Sequence, residues 1–481
     1  MKKIALYALV CLCVQLHASN KEKNNVIRKF HILLQQQTDT DLQEFQIIPE
    51  DQYVTRTTKK SDSTDTLFLV YMAADNNLHY FAWNNIKQMA TVGSNQNVKI
   101  VIQLNEPGAH KKTQRYLIEK NKAILLNQEQ VAAGKKFNTG DPQTLIEFCN
   151  ESIQRFPSKH IVLVLWDHGT GYLDPLKAKT SNLYDLFELN PADMMLELNR
   201  KHEFMERFDP QGDCRGICFD ETYHSYLSNQ KLDYALKSIC KKTQRKFDII
   251  GTDACMMQMV EFGALIAPYA NLMVGSEEVE LGAGWNYKHV LRPFQEQTLS
   301  PKELAKHIVH CYQKTYARIT HDYTLSALDL TQHHKLIENV NDTGTLLVNC
   351  LKKQKNKSTE KAILQSRMRK NCACFDEPSY VDLGHLYFNL KKNLPNIALY
   401  DSENLLIDLA KKLTEGLEII KAIILANVTG KNIKNAQGIS IYLPEKRIHP
   451  SYAKTPFSQT NNWGQLVHEF IHRDINIEYA T

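Results

Sequence analysis

The chain has 481 residues, of which 43% are hydrophobic and 23% are charged, a composition that is typical of globular proteins and excludes a largely disordered one. The net charge is only +5 at pH 7 and the basic residues are dispersed, so nucleic-acid binding gains no support. The length allows two or three domains, or one large α/β core with an appendage.

The first 18 residues have the pattern of a secretory signal peptide. Lys2 and Lys3 precede an apolar stretch over 4–16, and Ala18 is a small residue suited to cleavage. Because that stretch is too short to cross a bilayer as a helix, we expect no membrane span in the mature chain. The pattern predicts a secreted, periplasmic or cell-surface protein. Residues 19–64 are polar, and they predict a pro-segment or a solvated extension.

Strands and helices alternate over residues 65–300, which we interpret as one domain. Apolar positions that recur with helical periodicity predict helices at 78–89, 144–156 and 230–240, and continuous apolar runs predict strands. The predicted strands are 67–73, 98–104, 161–166, 216–220 and 272–275, with a hairpin at 115–118 and 123–126. Such alternation predicts an α/β fold with a mostly parallel sheet flanked by helices.

Two further stretches complete the prediction. Residues 170–215 form an irregular insertion whose middle, 194–207, has a helical pattern. Residues 301–481 are expected to be mainly helical, with helices at 303–319 and over 336–369 and a strand at 324–330, and to contribute to the core.

A cysteine follows a short apolar run formed by Phe247, Ile249 and Ile250. Gly251 is expected to end this strand, and a helix is predicted over 256–265. Cys255 would then lie at the carboxyl end of a buried strand and beside a helix N-terminus, where the dipole favours the thiolate. Taken alone, it also fits a small buried hydrophobic side chain, which is what most free cysteines are.

A histidine follows another apolar run. The predicted strand 161–166 is continuous in aliphatic residues, as a strand covered on both faces requires, and it is followed by Asp167, His168 and Gly169. The ends of two parallel strands can bring His168 close to Cys255, where the imidazole can take the thiol proton. The backbone amides of Gly169 and Cys255 could then hold an oxyanion. Asp167 is expected to face the opposite side from His168, because neighbouring residues of a strand alternate.

Together these motifs resemble the clostripain family of cysteine peptidases, which are relatives of gingipains, legumains and caspases. The resemblance covers about residues 65–445. It includes WDHG and TDAC at the two strand ends, LFLVYMAADNNL at 67–78, SEE at 276–278, GWNY at 284–287, YVDLGHL at 380–386 and QGISIYLP at 437–444. It implies a caspase-like fold and an endopeptidase with Cys255 as nucleophile and His168 as general base, acting as a dyad on peptide or protein substrates.

The resemblance also implies where substrate specificity is set. Asp253 occupies the position whose aspartate selects Arg or Lys on the acyl side of the cleaved bond, although an aspartate there can also serve as a turn or cap. Some relatives add a second acid where this chain has Ala283, and Glu278 or Glu280 could replace it. The remaining residues assigned to substrate binding are Ser276 and Trp285.

Maturation is a further expectation from the resemblance. Relatives that cleave themselves do so after the histidine segment, so Lys177 or Lys179 is the candidate self-cleavage site of a zymogen, and an uncleaved single chain is the alternative. No cofactor is expected. Calcium is suggested by the resemblance only, because the chain contains no loop with EF-hand spacing.

The chain has eleven cysteines. Cys11 and Cys13 lie in the predicted signal peptide, which leaves nine cysteines in the mature chain. This odd count suits one free reactive thiol with some of the others paired. No metal site is expected, because neither Cys214 with Cys218 nor Cys372 with Cys374 has the spacing of a structural zinc site. Two functional alternatives remain open: a degenerate family member that binds peptides without cleaving them, and a transpeptidase. A thiol redox protein would require a CxxC motif near Cys255, which the chain lacks.

Overall fold

The computed structural model describes residues 45–53, 63–173, 186–193, 195–200, 216–400 and 402–472. The predicted signal peptide, most of the polar extension, and Lys177, Lys179 and Cys214 lie outside these residues. Among the residues described, no helix has the length and apolar character needed to span a membrane.

The strands are short, except for those in the centre of the main sheet. In chain order they are β1 Gln46–Pro49, β2 Thr64–Ala73, β3 Val98–Asn105, β4 Gln114–Glu119, β5 Lys122–Leu125, β6 Ser158–Trp166, β7 Phe187–Leu189, β8 Leu196–Leu198, β9 Ile217–Asp220, β10 Ser225–Leu227, β11 Phe247–Asp253, β12 Ala270–Gly275, β13 Thr324–Asp329, β14 Tyr380–Asp382, β15 Ile424–Thr429 and β16 Ser440–Tyr442.

The helices pack on the faces of this sheet and make up most of the C-terminal part. In chain order they are α1 His79–Val92, α2 Gln128–Ala132, α3 Pro142–Arg155, α4 Asn229–Thr243, α5 Val260–Ile266, α6 Tyr287–Leu291, α7 Pro301–Tyr316, α8 His333–Lys353, α9 Ser358–Arg367, α10 Leu383–Asn393, α11 Glu403–Ile423, α12 Pro456–Thr460 and α13 Asn462–Ile471.

A ten-stranded sheet organises the fold, with the strand order β1-β5-β4-β3-β2-β6-β11-β12-β13-β15. The five central strands, β3, β2, β6, β11 and β12, are parallel to one another. Antiparallel pairs flank them on both sides, and β1 runs parallel to β5. The predicted mostly parallel α/β fold is confirmed. The C-terminal part contributes to the core as predicted, because it supplies β13 and β15.

The central strands form because their residues are apolar without interruption. From residue 67 to its end, β2 is completely buried, and so are the last six residues of β6. Strands covered by helices on both faces need this continuous pattern, which made them readable in the sequence. The predicted hairpin is confirmed as β4 and β5, and α3 starts where Asp141 caps it by accepting a hydrogen bond from the Gln143 amide at 2.9 Å.

Three local predictions were wrong. Gly251 does not end its strand, because β11 continues to Asp253. The helix predicted over 256–265 begins only at Val260, since Met256 has a φ of +57° and residues 256–258 bond to the segment 276–278 instead. The described part of the stretch 194–207 contains a strand, β8, where we expected a helix.

The glycine within β11 is explained by packing. A Cβ atom on Gly251 would lie 2.7 Å from Cη2 and 3.3 Å from Cζ3 of the Trp285 ring, which is almost fully buried. The glycine therefore makes room for the tryptophan against the sheet, and its backbone remains in the strand.

Gly251→Ala is expected to destabilise the protein by about 1–3 kcal/mol, because it overpacks the contact with Trp285. Urea unfolding of the single variants and of the double variant with Trp285→Phe measures the coupling. Phe lacks the outer ring atoms of Trp, so the alanine should cost less in the Trp285→Phe background. Equal costs in both backgrounds would contradict this explanation of the glycine.

Candidate active site

Parallel pairing of β6 with β11 sets the geometry of the candidate site. The register places Trp166 opposite Asp253, and the Asp167 amide donates to the Asp253 carbonyl at 3.3 Å. His168 and Cys255 therefore follow two adjacent strands at the same level. Both line one small cavity of about 20 Å³, which also includes Leu186 and Glu280. The structure brings together the two residues that the sequence singled out.

The contact between the two loops is close. A Cβ atom on Gly169 would lie 2.4 Å from the carbonyl oxygen of Cys255, so only glycine lets the histidine loop approach the cysteine loop this closely. The backbone of Gly169 also forms an antiparallel bridge with Ile217 at the start of β9. The candidate oxyanion residue thus lies directly beside the cysteine.

The imidazole of His168 is held by an asparagine side chain. Its Nε2 lies 2.6 Å from Oδ1 of Asn77, which follows β2, the neighbour of β6 on the other side. Burial lowers the pKa of His168 from its usual value to about 3, so the ring is neutral at physiological pH. Our sequence interpretation missed Asn77. Its position just past a strand at the same sheet edge was the available signal.

Cys255 is also buried, with 6% of its surface exposed. The backbone N–H of Glu280 donates to its Sγ at 3.3 Å. Burial raises the pKa of the thiol, and nearby carboxylates of Glu280, Glu278 and Asp376 raise it further. The expectation that a helix dipole favours the thiolate was wrong, because α5 begins only at Val260 and the thiol is protonated in this conformation.

The Asp167 carboxylate is bonded to groups of neighbouring segments. Its Oδ1 accepts from the Asn76 side chain at 2.7 Å, its Oδ2 accepts from the backbone N–H of Phe219, and the backbone N–H of His168 also donates to the carboxylate. The carboxylate therefore joins the segment after β2 to β9.

Asp253 lines the cavity and is nearly fully buried. Its carboxylate accepts from the Trp285 amide at 3.1 Å and from the Tyr287 hydroxyl at 2.8 Å. Burial raises its pKa to about 6. Glu280 lines the same cavity, and burial together with the charge of Asp253 raises its pKa well above the usual range. The two carboxyl groups therefore titrate as a coupled pair, and burial makes both bind protons more readily than exposed carboxyl groups do.

The other residues assigned to substrate binding have internal roles. Ser276 is buried, donates to the Glu278 carbonyl at 2.9 Å and shares a hydrogen bond with Thr324. The carboxylate of Glu278 pairs with Arg200 at 2.9 Å. Trp285 lines a neighbouring cavity of about 270 Å³. Among the described residues around the cysteine cavity, these three are not part of the lining.

The described part of the insertion between His168 and Cys255 contributes to the lining of the site. Leu186 lines the cavity, and β7 and β8 form a hairpin after it. The segment 319–322 holds this hairpin in place. The Leu196 amide donates to the Ile319 carbonyl at 2.8 Å, and Arg200 contacts Asp322 at 3.1 Å. A cavity of about 20 Å³ has room for a water-sized group and excludes a substrate side chain.

The part of the chain that the structure describes contains no group of three or more His, Cys, Asp or Glu side chains that could hold a metal ion. The expected cysteine pairing was wrong for the cysteines in the described ranges, which are all free: Cys149, Cys218, Cys240, Cys255, Cys311, Cys350, Cys372 and Cys374.

The sheet order and the histidine and cysteine at the ends of its adjacent central strands define a caspase-like α/β fold of the cysteine peptidase type. The family model of the clostripain family matches residues 70–199 and 201–471. The chain belongs to the clostripain family of cysteine peptidases. A search of curated proteins found no match.

Solved structures share this fold. A secreted C11 cysteine protease from Bacteroides thetaiotaomicron, in complex with an irreversible peptide inhibitor, is 17% identical, with a TM-score of 0.54 over 84% of this chain and 99% of that one. An inactive zymogen C11 protease from Parabacteroides distasonis is 16% identical, with a TM-score of 0.53 over 84% of this chain and 99% of that one.

The buried thiol should react slowly. At pH 7.5, iodoacetamide is expected to alkylate Cys255 at least about tenfold more slowly in the folded chain than in the urea-denatured chain, because the folded pKa is raised and access is restricted. Mass spectrometry of the peptide that contains Cys255 gives both rates. Equal rates would contradict a closed, protonated site.

Proposed function

We propose that this protein is a cysteine endopeptidase that hydrolyses peptide bonds after Arg or Lys. The observation that carries the proposal is the meeting of His168 and Cys255 at one cavity, on adjacent parallel strand ends. A thiol and an imidazole in this arrangement are the parts that acyl transfer through a thioester requires.

In the proposed reaction His168 takes the thiol proton as Cys255 Sγ attacks the scissile carbonyl. The backbone amides of Gly169 and Cys255 stabilise the oxyanion. His168 then protonates the leaving amine, and water, activated by the same imidazole, hydrolyses the thioester. Asn77 accepts from Nε2–H at 2.6 Å and so leaves Nδ1 with the lone pair that can accept the proton. No step requires a metal.

The specificity for a basic side chain is assigned to Asp253. Glu280 serves as the second acid, because this chain has Ala283 at the position where some relatives have one. Both carboxyl groups lie in the cavity beside Cys255, and the charge on Asp253 would pair with an ammonium or guanidinium group. The low dielectric strengthens this ion pair and penalises a neutral side chain that leaves the charge without a partner.

The closed cavity supports latency. We infer that the chain is made as a zymogen, that cleavage at Lys177 or Lys179 lets the segment containing Leu186 move off the cavity, and that the thiol then becomes accessible. Both lysines lie outside the described residues. The signal pattern of residues 1–18 supports secretion of this zymogen to the periplasm, the cell surface or the medium.

Fluorogenic peptides ending in Arg or Lys, compared with peptides ending in Asp, Asn or Leu, test the activity before limited trypsin treatment and again after the trypsin has been inhibited. We expect cleavage after Arg and Lys by the wild type and none by Cys255→Ala. Asn77→Ala should lower kcat by about 10–100-fold with little change in KM, because the imidazole loses its orientation. Absence of cleavage under all conditions would favour a peptide-binding protein, and product ligation to an added amine would favour a transpeptidase.

The Arg preference should depend on pH. The folded-state pKa of Asp253 is raised to about 6, so its charge is present above that pH and is lost as the pH falls through it. The ratio of kcat/KM for Arg-ending to Leu-ending peptides cancels the titration of the nucleophile and base. We expect this ratio to fall from its plateau as the pH is lowered through the raised pKa of Asp253. In Asp253→Asn the ratio should be low and independent of pH, and a pH-independent ratio in the wild type would contradict the assignment.

A further inference from the structure

A second cavity, larger than the one around Cys255, is lined by basic side chains. It has a volume of about 430 Å³, within the ~300–1,000 Å³ range of ligand pockets. Lys120, Lys288 and Arg292 line it, and the described lining contains no acid. It shares no lining residue with the cavity around Cys255. We call it the basic cavity.

The positive charge of this cavity is not compensated. Among the described residues, Lys120 and Arg292 have no ion-pair or side-chain hydrogen-bond partner, and both are exposed. Burial, together with the charges of Lys288 and Arg292, lowers the pKa of His289 beside the cavity. An uncompensated positive charge of this kind attracts an acidic partner.

The N-terminal extension enters the sheet beside the basic cavity. The Gln46 amide donates to the carbonyl of Asn121, which lines the cavity, at 3.2 Å. The Asn121 amide donates to the Ala90 carbonyl near the end of α1 at 2.8 Å, so this turn is held between α1 and the extension. Because β1 runs parallel to β5, the chain reaches β1 from the end at which β5 starts, next to Lys120.

The segment that precedes β1 is acidic. Residues 39–44 have the sequence DTDLQE, with three acids and no base, and they lie outside the described residues. Residues 32–55 contain no Lys or Arg, although the whole chain has a net charge of +5. An extended chain spans at most about 3.5 Å per residue, so Glu44 lies within about 7 Å of Gln46 along the chain, and Asp41 within about 17 Å. The connection therefore lets both acids reach the cavity.

We propose that the basic cavity binds the acidic segment 39–44 of the same chain, with Lys120 and Arg292 pairing with its carboxylates. The ion pairs hold the start of the extension and so stabilise β1 at the edge of the sheet. Exposed ion pairs are screened by salt, so this contact weakens as the ionic strength rises. It does not depend on catalysis, and it can be measured in a chain that cannot react.

Carbodiimide cross-linking of Cys255→Ala tests the contact directly, because the reagent joins carboxylates to amines that touch. At low ionic strength we expect a link from residues 39–44 to Lys120 or Lys288, identified by mass spectrometry, and at least about fivefold less of it in about 1 M NaCl. A mixture of isotopically labelled and unlabelled chains shows whether the link forms within one chain. Links that form only between chains, or no link to these lysines, would overturn the proposal.

Charge reversal tests the effect on β1. Hydrogen exchange of the β1 amides reports how often this strand opens. In the Cys255→Ala chain we expect Lys120→Glu with Arg292→Glu to raise the exchange rate at least about threefold at low ionic strength. The matched control is Lys241→Glu with Lys242→Glu, two exposed bases on α4, which should leave the rate unchanged.

A charge swap separates ion pairing from a local disturbance. Asp41→Lys with Glu44→Lys should restore most of the protection of β1 in the chain whose cavity is reversed, and should reduce it in the chain whose cavity is intact. Circular dichroism confirms that each variant is folded. Unchanged exchange on reversal, or no recovery on the swap, would contradict the proposal. Every chain carries Cys255→Ala, so these results are independent of whether the peptidase proposal holds.

Discussion

The parallel register between β6 and β11 is the constraint on which the site depends. Pairing Trp166 with Asp253 fixes two loops at the same level, and a shift by one residue would turn every side chain of a strand to the opposite face. Because β6 and β11 are central and covered on both faces, such a shift would disrupt the close packing on both sides of the sheet. The free energy that holds the core together therefore also holds the histidine beside the cysteine.

Burial sets the chemical state of this arrangement. The same low dielectric keeps the thiol protonated and the imidazole neutral, and it raises the pKa values of Asp253 and Glu280. In this state the thiol and the imidazole are both in place, but the protonated thiol is a weak nucleophile. Admission of water and substrate would change the solvation of these groups together, so that access and activation become one event.

The sequence predicted the features that depend on local pattern. Continuous apolar runs identified β2 and β6, and the residues that follow β6 and β11 identified His168 and Cys255. It did not predict Asn77 as the partner of His168, or the Glu280 amide at the thiol, because these contacts join loops that are distant in the chain. The prediction that Gly251 ends its strand was wrong for the same reason. The glycine makes room for the ring of Trp285 and does not form a local turn. Packing between elements decides such positions, and one sequence without a structure does not display it.

Part of the polar extension before the core, residues 45–53, is packed against the main sheet. Gln46–Pro49 pairs with Lys122–Leu125 and forms the outermost strand of the sheet, and Phe45 packs edge-on against Trp83 at 6.4 Å. A strand in this place satisfies the backbone groups that β5 would otherwise present to other molecules. If maturation removes this segment, the edge of the sheet moves inward to β5, whose backbone groups then become available for pairing with another chain.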